Sequence, residues 1–528
     1  MPSEPDYVYS LKKGRTNLKY SFSLIDYIAS GYSAIFYNSA DEQAALSETY
    51  MVSRRTGKKL IVWSLTTGIL EYSEAIFDET AQDNELAITD YVKKTIVKAD
   101  ELTPDEQVLL SGMKFDENGK FIFVLLDFHP NWNNQLVWRT AKDCFAEAYS
   151  RGIAFVFVSS NTNIPKELEH YVEKIEKQLP NKDKLRELAV RLTGQFDIQV
   201  DTAGIDKAAE AASGLTVPEA TDAYSMSLYR THSLDPSIIS FIKKEKLLRN
   251  STLEYIQPNN YIIGGLNAFK AFANERLAGF EEKARIEKLP YPKGVLLVGV
   301  PGCGKSLAAK ALSQMWQKPL LKLDVGRLFG SLVGLTEERT REALKITESM
   351  SPCILWIDEI EKGLSGVSSS GILDSGVTAR MFGTILTWMQ EKEKPIFVIA
   401  TANDVSKLPP ELLRKGRFDE IFFVDLPNSE ERKEIWKIQL EKYKGTLPFT
   451  VSNRDLNHLS ELTDGFTGAE IEELIISVKY KVYNENRQFT KEDFVNNIFS
   501  VHPCSKGIMA KNIQDLRRWC IEKNVKKA

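Results

Sequence analysis

The residues best suited to chemistry lie in the second half of the chain. Gly299-Val300-Pro301-Gly302-Cys303-Gly304-Lys305-Ser306-Leu307 follows the apolar run Val295–Val298 and leads into a helix-like stretch, Leu307–Met315. A strand, a glycine-rich turn and a helix in that order let backbone N–H groups turn inward around phosphate oxygens. The helix N-terminus adds positive potential there. Lys305 is placed to reach the β- and γ-phosphates of ATP, and Ser306 to put a hydroxyl on Mg²⁺. A second apolar run, Ile354–Ile357, ends in Asp358 and Glu359, 53 residues after Lys305. Acids closing a buried strand are costly without a partner. Mg²⁺ is a partner for Asp358, which leaves Glu359 to orient and activate water. A third run, Ile399–Ala402, ends in Asn403. Strand C-termini of a parallel sheet face the ligand crevice, so Asn403 is expected on the γ-phosphate or the attacking water. Finally, Arg414 and Arg417 flank Gly416 in a polar loop. In a lone chain these are surface charge. In a ring they become fingers on a neighbour's γ-phosphate, a contact worth ~10³–10⁵ in rate in other NTPases.

These residues need a parallel sheet to hold them. Short apolar runs at Val295–Val298, Leu320–Leu323, Ile354–Ile357, Ile396–Ala400 and Ile421–Val424 alternate with amphipathic stretches, the pattern of an α/β domain. Helical patterns at Glu430–Tyr443, Ala469–Tyr483 and Lys491–Ile498 predict a lid. The first part of the chain repeats the α/β pattern, with strands expected at Ala34–Tyr37, Leu60–Trp63, Phe121–Leu126 and Ile153–Val158 and a helix at Pro180–Thr193. The expected layout is an α/β domain over 1–205, a helical connector over 206–258 with breaks at Pro218 and Pro236, a P-loop domain over 259–427, and a helical lid and tail over 428–528. Ser365–Gly376 reads as a Ser/Gly-rich loop.

The four motifs together resemble the AAA family of ATPases over residues 255–500. That resemblance implies a P-loop parallel-sheet domain with a helical lid, bound ATP and Mg²⁺, and a homo-oligomer, expected as a hexameric ring. It also assigns Ile263 and Gly264 to the adenine-side entry segment, and Gly468 and Ala469 to the lid motif over the nucleotide. No HExxH occurs, so a metalloprotease of this family is not expected. Trp316-Gln-Lys-Pro-Leu-Leu, Leu386-Thr-Trp-Met-Gln-Glu391, Ala400-Thr-Ala-Asn403 and Arg417-Phe-Asp-Glu-Ile-Phe-Phe-Val-Asp-Leu-Pro427 are similar to the AAA-domain proteins encoded in cyanobacterial and red-algal plastid genomes as a hypothetical chloroplast reading frame. Val62-Trp-Ser64 and Ile164-Pro165 extend the similarity to the first half. This implies a plastid stromal protein, or a cytoplasmic one in cyanobacteria.

The first half echoes the second with its chemistry worn away. Phe121–Asp127 parallels Ile354–Asp358, and Phe155–Asn161 parallels Phe397–Asn403. At the P-loop position, Asn38-Ser-Ala-Asp41-Glu42 offers acids where phosphates would sit, and Phe128 stands for the catalytic Glu. The first domain is therefore expected to be a degenerate P-loop-like fold that recruits partners. In the stretch Gly330–Arg339, Leu332 occupies the place of the aromatic that threading AAA proteins use to grip polypeptide.

Composition narrows the class. The net charge of −4 and pI near 6.0 argue against a nucleic-acid binder, and no apolar run is long enough to span a membrane. The basic tail from Lys506, with seven Lys/Arg, reads as a solvated amphipathic helix. Cys144, Cys303, Cys353, Cys504 and Cys520 are scattered without a CxxC pair, which fits a reducing compartment. The first residues lack an apolar signal core, so the protein is expected to stay where it is made. The expected function is Mg-dependent ATP hydrolysis by an oligomer that remodels or regulates a protein partner. The alternative is an ATP-gated scaffold with slow turnover.

Overall fold

The computed structural model describes residues 22–528 apart from 40, 78–87, 103–105, 116–119, 161–163, 250, 258, 260, 329–334, 363–371, 409–410, 415, 444–450 and 508. Leu332, Asn161 and the first part of the Ser/Gly-rich loop lie outside the described residues. Ile372–Gly376, read as the end of that loop, instead open the helix Ile372–Glu391. The chain divides into two compact units between Ile239 and Ser240, within the stretch expected as a connector.

In the first unit, β1 (Ala34–Asn38), β2 (Lys59–Ser64), β3 (Gly68–Phe77), β4 (Ile88–Val97), β5 (Phe121–Leu126), β6 (Ala154–Ser159) and β7 (Glu173–Glu176) form one sheet in the order β4-β3-β2-β5-β6-β1-β7. The pairs linking β2, β5, β6, β1 and β7 are parallel. β3 and β4 add an antiparallel hairpin on one edge. β5 and β6 are buried along their whole length, as strands covered on both faces must be. Because side chains alternate, Phe121, Phe123, Phe155 and Phe157 enter one core with helix Gln135–Arg151. Ile122, Val124, Val156 and Val158 enter another with helix Glu42–Thr56. Three further helices follow, Lys182–Gln195, Thr202–Ala212 and Val217–Thr231. Pro218 and Pro236 stand in first turns, where the missing N–H costs nothing, so they begin helices rather than break them.

In the second unit, β8 (Leu253–Ile256), β9 (Gly294–Gly299), β10 (Leu320–Leu323), β11 (Cys353–Ile357), β12 (Ile396–Ala402), β13 (Glu420–Val424) and β14 (Lys526–Lys527) are ordered β14-β13-β9-β12-β11-β10-β8. Every pair is parallel except that of β8 with β10. Taken by chain order, the parallel strands β2-β5-β6-β1-β7 and β10-β11-β12-β9-β13 follow one plan: second, third, fourth, first, fifth. The lid comprises helices Ser429–Glu441, Asn453–Leu462, Gly468–Asn484 and Lys491–Ser500 around the fully buried Trp436. The basic tail does form a helix, Ala510–Glu522. It is docked rather than solvated, with Ile513, Leu516 and Cys520 buried.

Candidate nucleotide site

β9 runs into the glycine turn, and helix Lys305–Trp316 leaves it. Gly304, the residue before the helix, has φ +91°, which an L side chain resists, and no side chain caps the helix. The first turn's N–H groups are thus left open toward the turn. At Gly299 a Cβ would lie 2.0 Å from the Val424 carbonyl oxygen, so only glycine lets β13 close against the turn. Val300 fixes that contact by donating its N–H to the same carbonyl, 3.0 Å away. Lys305 is buried, and its Nζ donates to the carbonyls of Gly299 and Val300, both at 2.8 Å. Burial pushes its pKa down to about 8. Cys303 is pushed up to about 12, chiefly by burial, which favours the thiol over the thiolate. Pro301 is half-buried, and Leu307 packs against the core beneath.

The acids meet this turn across the strand ends. Ser306 Oγ donates to Asp358 Oδ1 at 3.1 Å. Thr401, buried at the end of β12, donates to the same oxygen at 2.7 Å and accepts the Glu359 N–H at 2.9 Å. Glu359 sits in the left-handed region, φ +48°, a strained conformation for a non-glycine residue that this hydrogen bond supports. Asn403 Nδ2 donates to Glu359 Oε1 at 2.9 Å, and Lys362 pairs with the other Glu359 oxygen. Lys322, on β10, places Nζ 3.3 Å from Asp358 Oδ2 and 4.6 Å from the Trp356 ring centroid. Glu361 accepts the Asn403 N–H at 2.9 Å, and burial raises its pKa. A hydroxyl and a carboxylate oxygen this close are hard donors that suit Mg²⁺, which keeps most of its shell as water and phosphate.

The structure thus brings together Lys305, Ser306, Asp358, Glu359 and Asn403. Thr401, Lys322, Lys362 and Glu361 complete the cluster, and their motif positions alone did not single them out. The only signal in the sequence was a threonine inside an otherwise apolar strand. The residues expected on the adenine side also lie together. The Ile263 Cδ1 atom lies 3.6 Å from where a Gly304 Cβ would be, and Gly264, Cys303 and Gly468 line one pocket. Ala469 donates its N–H to the Gly302 carbonyl at 3.1 Å, which docks the lid helix on the phosphate turn. The entry segment is tied to the lid as well, Gly265 N–H donating to Glu434 at 2.7 Å. Arg414 and Arg417 stand apart. Arg414 is exposed and pairs with Glu411 at 3.9 Å, and among the described residues neither arginine contacts the phosphate turn. Asp419 holds their loop by accepting the N–H groups of Lys293 (2.7 Å) and Gly294 (3.0 Å) at the base of β9.

The first unit has the same frame with the site closed. Helix Glu42–Thr56 is capped by Asp41, whose buried carboxylate accepts the Ala44 N–H at 2.9 Å where Gly304 leaves its helix open. Burial and the nearby Asp127 raise the pKa of Glu42, a setting hostile to phosphate. Phe128 does not take the place of Glu359. Asp127 has the same left-handed backbone, φ +48°, and Phe128 is buried as Ile360 is. Leu126 and Ile357 are each the last residue paired in their ladders, and the left-handed residue follows at once after Leu126 but one residue later after Ile357, so this turn is one residue shorter and carries one acid instead of two.

Residues 295–426 match the ATPase family associated with various cellular activities (AAA), and residues 21–176 match the SpoVK-like AAA ATPase N-terminal domain. An uncharacterized AAA domain-containing protein ycf46 from Guillardia theta is 38% identical over 411 residues, covering 77% of this chain and 80% of that protein. The ycf46 protein of Gracilaria tenuistipitata var. liui is 37% identical over 431 residues, covering 79% and 86%. The ATP-dependent zinc metalloprotease FtsH of Karelsulcia muelleri is 32% identical over 240 residues, covering 45% of this chain and 36% of that protein. The described residues contain no helix long and apolar enough to cross a membrane. With relatives encoded in algal plastid genomes matched over most of its length, the chain belongs to the AAA ATPase family, among its ycf46 proteins, and is an ATP hydrolase.

Proposed function

We propose that this protein hydrolyses ATP as a ring-forming homo-oligomer, expected to be hexameric, and uses the cycle to remodel or regulate a protein partner. The supporting observation is the cluster itself: Lys305, Ser306, Asp358, Glu359 and Asn403 meet at one end of the sheet, while Arg414 and Arg417 sit on an outlying loop. Lys305 releases the carbonyls of Gly299 and Val300 to bind the β- and γ-phosphates. The open N–H groups around Gly302 and Gly304 cradle the same oxygens. Ser306 and Asp358 would hold Mg²⁺, which supplies charge neutralisation on the phosphates. Glu359 takes the proton of the attacking water, and Asn403 aligns that water with the γ-phosphate. Arg414 and Arg417 act on the site of the next subunit. The plastid encoding of its relatives supports the plastid stroma as its compartment, or the cytoplasm in a cyanobacterium.

One observation favours a slower, ATP-gated scaffold: Glu359 is engaged by both Asn403 and Lys362 and must let go before it can serve water. A single experiment separates the readings. Steady-state ATP hydrolysis is measured over a protein concentration series for wild type, Glu359→Gln and Arg417→Ala. Specific activity that rises with concentration and collapses in both variants supports the ring. Tight ATP binding with negligible turnover in all three supports the scaffold.

A further inference from the structure

The segment after the lid turns back to the sheet. Helix Ala510–Glu522 lays Leu516 and Cys520 into the main core of the second unit. Beyond it, β14 adds an edge to the sheet, Lys526 opposite Phe422 and Lys527 opposite Phe423. Ala528 donates its N–H to the Phe423 carbonyl at 3.0 Å and packs against the core beneath the phosphate turn. Two ion pairs fasten this strap. The Arg517 guanidinium grips Asp425, with Nε 3.0 and 3.1 Å from the two carboxylate oxygens. Lys526 pairs with Glu420. Asp425 is only 15% exposed, so its partner matters more than one on open surface.

The strap reaches a pocket beside the residues expected at the base of a nucleotide. Lys527 and Ala528 line the same pocket as Gly264, Cys303 and Gly468, and Asp425 is part of that wall. One side of the pocket comes from the lid, through Ile435 and Gly468, and the other from β13 and the strap. As the edge strand, β14 keeps one row of backbone N–H and C=O groups unspent by the sheet. Lys527 supplies the one cation among the lining residues, against the carboxylates of Asp425 and Glu431.

We propose that residues 525–528 form the base-side wall of the nucleotide site, with the Arg517–Asp425 pair as the clamp that positions them. The strap is a binding element, and the lid closes on the base against it. This rests on the nucleotide reading above. The test is calorimetric titration with ADP and with GDP of the full chain, a chain ending at Asn524, Arg517→Ala, Lys527→Glu and Lys305→Ala, with melting curves on each. Ending at Asn524 is expected to weaken ADP binding about 10-fold or more and to narrow the ADP-over-GDP preference. Arg517→Ala and the exposed-site change Lys527→Glu are expected to shift both in the same direction by about 3–10-fold. Folded variants that keep the wild-type affinity and preference would overturn the proposal, as would tighter binding, which would make the strap a plug. If Lys305→Ala binds ADP as wild type does, the nucleotide reading itself fails. If Lys305→Ala loses binding while the strap variants do not, only the strap proposal falls.

Discussion

Thr401→Val is the substitution that most directly tests how the site is held. Thr401 is buried at the end of β12 and spends its hydroxyl twice, donating to Asp358 at 2.7 Å and accepting the Glu359 N–H at 2.9 Å. Valine keeps the shape and removes both bonds. A hydrogen bond to a charged group contributes about 1.5–3 kcal/mol, and a buried N–H left without an acceptor costs about 1–3 kcal/mol. The two effects share one hydroxyl and do not simply add, so a loss of about 2–4 kcal/mol is expected. In the second unit that lowers the melting transition by about 3–7 °C. Asp358 and Glu359 both lose a fixed point, and kcat/KM is expected to fall about 10–100-fold, at 1.4 kcal/mol per decade. Differential scanning calorimetry and steady-state hydrolysis read the two effects. Thr401→Ser, which retains the hydroxyl, should recover most of the activity. If Thr401→Val melts and turns over like wild type, the hydroxyl does not organise the two acids and the reasoning is wrong.

Other expectations follow from neighbouring contacts. Lys322 competes with a divalent cation for Asp358, from 3.3 Å away, so Lys322→Met should lower the Mg²⁺ midpoint for nucleotide binding about 3–10-fold. An unchanged midpoint in a Mg²⁺ titration would count against it. Asp419→Ala frees two backbone N–H groups at the base of β9 and slackens the arginine loop, so hydrogen exchange should rise at Lys293, Gly294 and Gly416 together. Exchange confined to Gly416 would show the two are not linked. In the lid, the bidentate Arg487 pair and its neighbouring Thr490 bonds hold the Asp493 carboxyl down at about 2. A depressed carboxylate stabilises above its unfolded pKa of about 3.9 and loses that contribution as pH falls through about 2. Arg487 is partly exposed, so Asp493→Asn is expected to cost about 1 kcal/mol at pH 7 and progressively less below about pH 4. Urea unfolding at pH 7, 4 and 3 measures the gap, and a gap that stays constant or widens from pH 4 to pH 3 contradicts the assignment.

The parallel strands of both sheets were legible because they are continuous apolar runs, and β9 with its glycines, lysine and serine advertised its own turn. The β3–β4 hairpin was not. Its strands, GILEYSEAIF and ITDYVKKTIV, interleave charges with apolar residues on a half-exposed edge and offer no continuous run. The two-residue β14 was beyond any periodicity, and its docking depends on Arg517 finding Asp425, 92 positions earlier. Within the site, the motif residues could be placed from strand ends alone. Thr401 and Lys322 could not, because each contributes through a neighbour on an adjacent strand, and sheet order is what makes them neighbours. Leu126 and Ile357 show the same limit from the other side. Aligned as text, Phe128 falls on Glu359; aligned by backbone, it falls on Ile360.

Asp41 has a consequence for what the first unit can accept. Its carboxylate already occupies the helix N-terminus that a phosphate would need. With the Ala44 N–H already spent on Asp41, this end of the first sheet is shut to the ligand that the matching turn of the second sheet is open to receive.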